Sequence, residues 1–179
     1  MTMTETVWRE VREQLGDRGK IEVLIGIPTF NNAKTVEPVV KAVTAGLSKV
    51  CPRASVLVVN ADAGSQDGTP EIIKQAAGPD YPTALVQHLA GGFLSGPISL
   101  HALSESGVPG REHAFRAFFT VAEELEVNAC LVIDANERVT WVHTGPEQQG
   151  WASVVERSPG DTLTTPALPS LSVRLAGLD

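Results

Sequence analysis

Three apolar runs in this chain each end in a short polar segment, and this repeated pattern constrains the fold more than any other feature. The runs cover residues 21–27, 56–59 and 130–133. Continuous apolar runs of this length are typical of strands that are buried on both faces of a parallel sheet. The carboxyl ends of parallel strands meet at one edge of a sheet, where open α/β folds bind their ligands. We therefore expect the three polar segments to lie around one crevice.

Helical periodicity alternates with these runs. Apolar residues recur every three or four positions in 4–16, 34–49, 71–77 and 111–126, and a short strand is expected at 84–87. Thr69 is the expected cap of the third of these helices, because proline and an acid follow it. The glycine-rich stretch 88–110 has no period and is expected to form a long loop. The alternation predicts a single-domain, three-layer α/β/α fold with a mostly parallel sheet.

Composition narrows the class of protein. A chain of 179 residues that is 42% hydrophobic can form one globular domain with a substantial core. The net charge of −7 argues against a nucleic-acid partner. No apolar run approaches the ~18 residues that a membrane span needs, and the N-terminus lacks the features of a secretory signal. We expect a cytoplasmic protein in which Cys51 and Cys130 are reduced packing residues.

The second polar segment, 60–69, joins an apolar run to a predicted helix. Asp62 stands at the end of the strand, where a carboxylate can accept hydrogen bonds from ribose hydroxyls or a base N–H. Gly64 would let the backbone approach a ligand closely. A plain turn in which Asp67 only caps the helix is an equal alternative. A calcium loop of the EF-hand type is disfavoured, because Ser65 stands where that loop requires glycine.

The other polar segments also allow a functional and a structural interpretation. Residues 28–32 offer amide and hydroxyl groups that could contact a base edge, although two asparagines before a helix are usually a turn and a cap. Asp134 ends a buried strand and is either a metal or catalytic residue or a helix cap. Arg111 begins a helix directly after a glycine, so its charge and the free N–H groups could meet a phosphate together. A solvated arginine is the alternative.

Four segments in this order resemble a known family. They are Ile-Pro-Thr-Phe-Asn-Asn at 27–32, Val-Val-Asn-Ala-Asp-Ala-Gly-Ser-Gln-Asp-Gly-Thr at 58–69, Gly-Arg-Glu-His-Ala-Phe-Arg at 110–116 and Val-Ile-Asp-Ala-Asn at 132–136. The combination is similar to family 2-type glycosyltransferases with a GT-A fold, nearest the glucosyl-3-phosphoglycerate and mannosylglycerate synthase branch. The resemblance covers residues 21–140, and relative to that family the chain is expected to be shortened at its C-terminus.

The resemblance implies transfer of a hexose from a UDP- or GDP-sugar to a small acceptor. The residues that it assigns to substrate binding are Pro28, Thr29, Phe30, Asn31, Asn32, Asp62, Gly64, Arg111 and Asp134. Asp134 and Asn136 stand where the family carries Asp-x-Asp, which holds a divalent metal, Mg²⁺ or Mn²⁺, against the diphosphate. It also implies three parts: an N-terminal helix at 1–19, a nucleotide-sugar-binding domain at 20–145 and a short C-terminal segment at 146–179.

Two departures from the family pattern keep a second function open. Asn136 replaces the second acid, which removes one charge from the metal site. The family also continues well beyond the Asp-x-Asp strand to build an acceptor pocket, so no catalytic base can be named here. The alternative is a catalytically degenerate GT-A domain that serves as a nucleotide-binding or partner subunit. Assembly of two copies of the chain would be another way to complete the pocket.

Overall fold

Six strands and three helices make up the regular structure of the residues that the computed structural model describes, together with a helical segment at 11–15. The strands are β1 (Val23–Thr29), β2 (Val56–Asp62), β3 (Thr83–Gln87), β4 (Ala129–Ile133), β5 (Thr140–Glu147) and β6 (Gly150–Arg157). The helices are α1 (Val36–Leu47), α2 (Thr69–Ala77) and α3 (Arg111–Glu124). The described residues are 9, 11–15, 20–48, 56–78, 83–87, 111–147, 150–166, 169 and 173–177, of which 83–87 and 111–113 are described by their backbone only.

All six strands form one sheet in the order β3-β2-β1-β4-β5-β6. The first four pair in parallel, and β5 and β6 add to that sheet as antiparallel strands. The chain leaves β1 for β2 on one side, whereas β4 flanks β1 on the other side. A change of direction of this kind opens a crevice above the carboxyl ends of the two strands. The predicted mostly parallel sheet is confirmed, and the polar segments do lie at its carboxyl edge.

Helices cover both faces of the sheet and give the predicted three layers. On one face, α1 and α2 pack against alternate residues of β1, β2 and β4. On the other face, α3 and the 11–15 segment pack against the intervening residues. Each face buries branched aliphatic side chains that strands favour. The largest fully buried side chains are Phe118, Leu24, Ile25, Ile27, Leu47, Leu57, Ile73, Leu131, Ile133, Leu163 and Leu175.

The contact between α3 and β1 depends on a glycine. A Cβ atom added to Gly26 would lie 2.6 Å from Cδ2 of Phe118 and 2.7 Å from its Cγ. Real Cβ atoms do not approach an aromatic ring this closely, so only glycine lets the Phe118 ring come this near to the strand. Phe118 is 0% exposed. The closeness of helix and sheet on this face therefore follows from one position in β1.

The structure differs from the sequence-based expectations in two places. Gly68, with φ of 84°, is the N-cap of α2, and Thr69 is its first residue, so the predicted cap at Thr69 is wrong by one position. The β5–β6 hairpin was not expected; it lies beyond the strands that the apolar runs revealed. The predicted loop 88–110, most of the predicted helix 4–16 and Cys51 lie outside the described residues.

The end of the described chain contributes to the same core as the rest. The boundary placed between 145 and 146 falls inside β5. Leu163, Val173 and Leu175 are buried in the layer formed with α1 and α2. Cys130 is a buried free cysteine, and burial raises the pKa of its thiol above the ordinary range. Among the described helices, none is long and apolar enough to cross a membrane.

Candidate functional site

The ends of β1 and β2 are joined by a buried hydrogen bond between two predicted site residues. Thr29 and Asp62 are register partners, and the Thr29 hydroxyl donates to Oδ1 of Asp62 over 2.8 Å. The same hydroxyl accepts a hydrogen bond from Nδ2 of Asn60 at 2.8 Å. Thr29 is 2% exposed and Asp62 is fully buried. Both residues therefore build the floor of the crevice rather than its surface.

The carboxylate of Asp62 is saturated by the turn that follows it. Its Oδ2 accepts hydrogen bonds from the backbone N–H groups of Gly64, at 3.0 Å, and Ser65, at 2.8 Å. Its Oδ1 accepts a hydrogen bond from the Ser65 hydroxyl at 2.5 Å in addition to the one from Thr29. A carboxylate offers roughly four acceptor positions, and four protein donors occupy them here. Asp62 fixes the shape of this turn, and a ligand that bonded to it would have to displace one of these donors.

Asn31 connects the β1 loop to the β2 turn. Its backbone N–H donates to the Ser65 hydroxyl at 2.8 Å, and its side-chain Oδ1 accepts from the backbone N–H of Gln66 at 3.0 Å. Asn31 has φ of 53°, a left-handed conformation that asparagine tolerates better than most residues. Because the side chain of Asn31 is exposed, this residue places an amide group at the surface of the crevice.

Two further hydrogen bonds join the loop after β1 to the turn after β2, at the start of α2. The Asn32 N–H donates to the Thr69 hydroxyl at 2.8 Å, and the Ala33 N–H donates to Oδ2 of Asp67 at 2.9 Å. The Thr69 hydroxyl in turn donates to Oδ1 of Asp67 at 2.5 Å. This hydrogen bond lowers the pKa of Asp67 below its ordinary value. In the described structure Asp67 thus serves the turn, as the structural interpretation of this segment expected.

The loop after β4 is a tight turn held by Asp134. Its Oδ1 accepts hydrogen bonds from the backbone N–H groups of Asn136, at 2.8 Å, and Glu137, at 2.9 Å. Its own N–H donates to the carbonyl of Val139 at 3.0 Å, which closes the turn. Asp134 is 4% exposed, whereas the side chains of Asn136 and Glu137 are exposed. The turn therefore presents two polar side chains at the crevice.

Asn136 bonds directly to the β1 loop across the crevice. Its Oδ1 accepts from Nδ2 of Asn32 at 2.8 Å and from the Thr35 hydroxyl at 3.0 Å. The orientation of the Asn32 amide is fixed, because its Oδ1 accepts the N–H of Phe30 at 2.7 Å. Asn136 must therefore turn its oxygen toward Asn32. These contacts, with those of Asn31, unite the three predicted polar segments into one hydrogen-bonded loop cluster.

The other residues predicted to bind substrate are Pro28, Phe30, Gly64 and Arg111. Pro28 is buried within β1 opposite Ala61, and Phe30 is half-buried. Gly64 adopts φ of 87°, which its turn requires. Arg111 is the first residue of α3, but its side chain is not among those described, so its contact with a diphosphate stays a prediction.

One cation of this cluster was not predicted from the sequence. Lys34 is exposed in the β1 loop, two residues before α1 begins. The N-cap of α1 is Thr35, which makes no side-chain capping bond. The Val36 N–H donates to the Asn32 carbonyl at 3.0 Å and Pro38 has no N–H, so within residues 36–38 only Glu37 offers an N–H to a ligand. A helix N-terminus carries partial positive charge and favours anions. The sequence signal for this cation was a lysine two residues after a pair of asparagines, at the start of the helix predicted for 34–49.

The pair Asp134 and Asn136 fits the implied metal poorly. An amide oxygen has two lone pairs, and Asn32 and Thr35 occupy both on Asn136. One oxygen of Asp134 already accepts two backbone N–H groups. Within the described residues, no group of three or more His, Cys, Asp or Glu side chains could hold a metal ion. In this arrangement Asn136 is a structural bridge between loops rather than a ligand.

Comparisons with known proteins give a partial likeness to solved glycosyltransferases. No family model matches the chain, and no curated protein matches it. A mannosyltransferase from Pyrobaculum calidifontis, solved with GDP-Man and Mn²⁺, is 22% identical with a TM-score of 0.37. A mannosyl-3-phosphoglycerate synthase from Rubrobacter xylanophilus is 19% identical with a TM-score of 0.41. Each match covers 74% of this chain, and the chain spans only 34% of the length of each solved protein. Both neighbours are of the type that the sequence resemblance named.

Proposed function

We propose that the loop cluster at the carboxyl edge of β1, β2 and β4 binds the nucleoside diphosphate part of a UDP- or GDP-sugar. We further propose that the protein transfers the hexose to a small acceptor. The observation that supports this most is the hydrogen bond between Asn32 and Asn136, which closes the crevice at the switch point of the sheet. Ligands of open α/β sheets bind at this position, and three of the four segments with the family resemblance, 27–32, 58–69 and 132–136, contribute to it.

Because the whole chain is negatively charged, a diphosphate would have to be held by positive groups close to the crevice. A net charge of −7 repels polyanions at long range. Lys34 and the uncapped N-terminus of α1 lie in the loop that borders the crevice. Together they supply positive charge and the N–H of Glu37, and positive charge and N–H donors are the two features by which proteins hold phosphate groups. We assign the diphosphate to this side of the crevice.

The nucleoside would then lie over the junction of the β1 and β2 loops. Asn31 presents an exposed amide there, next to the Ser65 turn that Asp62 holds in shape. Amide groups can both donate to and accept from a base edge. In this proposal Asp62 acts as a positioning residue, because its own acceptor positions are filled by the protein.

Mg²⁺ binds proteins through one or two carboxylates together with substrate phosphates, so Mg²⁺ or Mn²⁺ would have to enter this crevice with the diphosphate. Asp134 is the member of the predicted pair that keeps a charged group at this point.

A non-catalytic function is the second candidate, and one observation favours it. The acceptor atoms of Asp62 and the oxygen of Asn136 are both engaged by protein donors. These are the groups through which the family resemblance would bind nucleotide and metal. A domain that retained the cluster for its structure alone would show this saturation, and it could act as a partner subunit.

Calorimetry with UDP, GDP, UDP-glucose and GDP-mannose, with and without Mn²⁺, tests the proposal. We expect one nucleotide sugar to bind and to be hydrolysed slowly in the absence of an acceptor. Binding without any hydrolysis supports a non-catalytic nucleotide-binding subunit. No binding by any of the four compounds contradicts the proposed transfer and favours a structural role of the cluster in a partner subunit.

A charge variant locates the diphosphate. Lys34→Gln is expected to weaken UDP or GDP binding several-fold at low salt while leaving the affinity for the bare nucleoside unchanged. Lys74→Gln is the matched control, because Lys74 is exposed on α2 away from the α1 N-terminus. Equal effects of the two variants would show that only the net charge matters.

A further inference from the structure

A separate cavity lies on the opposite face of the sheet from α1, between the end of α3 and the tip of the β5–β6 hairpin. It has a volume of about 510 Å³, which is within the range of small-molecule sites. Its apolar wall includes Phe119 and Ala122 of α3 and Trp151 of β6. The Phe119 and Trp151 rings lie 6.0 Å apart at their centroids, inclined by 55°. The cavity therefore has an aromatic corner.

Three glutamates complete the lining of this cavity. Glu123, Glu126 and Glu147 line it, and their side chains are exposed. Among the described residues that line the cavity, none is a lysine, arginine or histidine. No hydrogen bond or ion pair between described residues engages these three carboxylates. Within the described part of the chain, the cavity thus places three carboxylates that lack a cationic partner beside two aromatic rings.

Helix α3 ends at Glu124, next to two of the three glutamates. Its last carbonyls, of Val121, Ala122 and Glu123, accept hydrogen bonds from N–H groups of residues 125–127, so this helix end is capped by its own turn. The attraction for a cation therefore comes from the three carboxylates and the aromatic corner, and the rings also attract an apolar body.

His143, which packs against the two rings of the aromatic corner, does not supply a positive charge to the cavity. His143 is 6% exposed and packs its ring against Phe119, at 4.9 Å between centroids, and Trp151, at 5.9 Å. Neither ring nitrogen of His143 has a hydrogen-bond partner. Burial lowers the pKa of His143, so the ring is uncharged at neutral pH. His143 therefore does not neutralise the three glutamates, and a bound ligand would have to supply the positive charge.

We propose that this cavity is a binding site for a small organic cation, of the alkylated or quaternary ammonium class. The ammonium group would lie against the inclined rings of Phe119 and Trp151, and the three glutamates would neutralise it from the open side. A quaternary ammonium suits the site better than a metal ion, because aromatic faces stabilise a diffuse charge and offer no lone pairs. This site is independent of the crevice at the carboxyl edge.

Choline and its uncharged isostere 3,3-dimethylbutan-1-ol are the probes for this site. The measurement is the NMR shift of the Trp151 indole N–H during titration of the full chain, with sodium chloride added to match ionic strength. We expect choline to give a saturable shift in the millimolar range and the alcohol to bind at least tenfold more weakly. The indole N–H of Trp141 serves as an internal reference, because it is engaged with Glu156 at 3.2 Å.

Glutamate variants distinguish binding in this cavity from a general attraction of choline to the negatively charged protein. Glu147→Gln and Glu123→Gln should each weaken choline binding at least threefold, while Glu124→Gln should not, because Glu124 is exposed on the same helix but does not line the cavity. Equal binding of choline and the alcohol would overturn the proposal, and so would the lack of a saturable shift at Trp151. A shift caused by an arginine-rich peptide but not by choline would assign the cavity to a protein partner and also overturn it.

Discussion

The side-chain amide of Asn32 donates a hydrogen bond to the side-chain oxygen of Asn136, 104 positions later in the chain, over 2.8 Å. Asn32 is 5% exposed, and its backbone N–H and side-chain oxygen are engaged as well. One side chain thus connects the loops that follow β1 and β4 and anchors the start of α2 through Thr69. The loop cluster is expected to fold and unfold as a unit because of this residue.

Replacement of Asn32 by alanine tests its role as the central bridge. Asn32→Ala leaves the Phe30 N–H without its side-chain partner and removes one of the two donors to the Asn136 oxygen, so we expect a loss of about 1–3 kcal/mol in the free energy of unfolding. Urea denaturation measures this loss. Asn128→Ala is the matched control, since Asn128 is exposed, and it should change stability by less than about 0.5 kcal/mol. Equal losses in the two variants would contradict the bridging role.

Restoring the second acid should create metal affinity. Asn136→Asp keeps an oxygen acceptor for Asn32 and Thr35 and adds a carboxylate next to Asp134. Affinity for divalent ions rises with the number of charged ligands, so we expect Mn²⁺ to bind at least about tenfold more tightly in the presence of UDP or GDP. Water-proton relaxation or calorimetry provides the measurement.

A control for that variant adds the same charge elsewhere in the crevice. Asn31→Asp introduces a carboxylate on the exposed loop that bonds to Ser65 and Gln66. It should improve Mn²⁺ binding little, because long-range attraction in water is weak and screened by salt. If both variants gain equally, the loop after β4 has no special geometry for a metal.

The contact between β1 and α3 predicts a large effect from one methyl group. In Gly26→Ala the new Cβ would lie 2.6 Å from the Phe118 ring, so the helix or the ring must move. Overpacking of this kind typically costs about 1–3 kcal/mol. Gly160→Ala is the control, because a Cβ there meets nothing within 4 Å. Adding Phe118→Leu to Gly26→Ala should recover part of the loss, and a purely additive result would contradict the proposed clash.

His143 predicts a pH dependence of stability. Burial lowers its pKa in the folded state below the ordinary 6.5, so the unfolded chain binds the proton more readily. The contribution is fully present above about pH 6.5 and is lost as the pH falls toward the folded pKa. The groups that face it are the Phe115, Phe119 and Trp151 rings and the Cys130 thiol across the strand pair, none of which titrates in this range.

The variant His143→Phe isolates that contribution. It removes two ring nitrogens that have no hydrogen-bond partner, so stability at pH 7 should be equal to or greater than that of the wild type. Unfolding experiments between pH 5 and 7 should show a smaller decline for the variant. Parallel declines in the two proteins would assign the pH dependence to other groups.

The parallel part of the fold could be predicted because its strands are apolar on both faces. A strand buried on both faces is a continuous apolar run, so its position can be predicted without an alternation of polar and apolar residues. The ends of β1, β2 and β4 lie within two or three residues of the ends of the predicted runs. The expectation that Asn31, Asp62 and Asp134 lie at one edge of the sheet followed from the parallel direction of the strands. The hairpin escaped prediction because β6 is exposed over most of its length, with Val154 at 54%, so its residues carry no core pattern.

The fine structure of the loop cluster could not be predicted from residue types. A carboxylate at a strand end can face a ligand or its own turn, and Asp62 does the latter because Gly64 and Ser65 bring three donors to it. Likewise the family resemblance implied a metal at Asp134 and Asn136, whereas the distant Asn32 and Thr35 determine where the Asn136 oxygen points. Such contacts depend on segments far apart in sequence.

An NMR titration of the isotopically labelled chain with UDP and GDP shows whether the three loops bind a nucleotide together. If the three loops form one nucleotide-binding crevice, the backbone amides of Asn31, Gln66 and Asn136 should shift together, with a single dissociation constant for one of the two nucleotides. Shifts confined to one loop, or none at saturating nucleotide, would contradict the account.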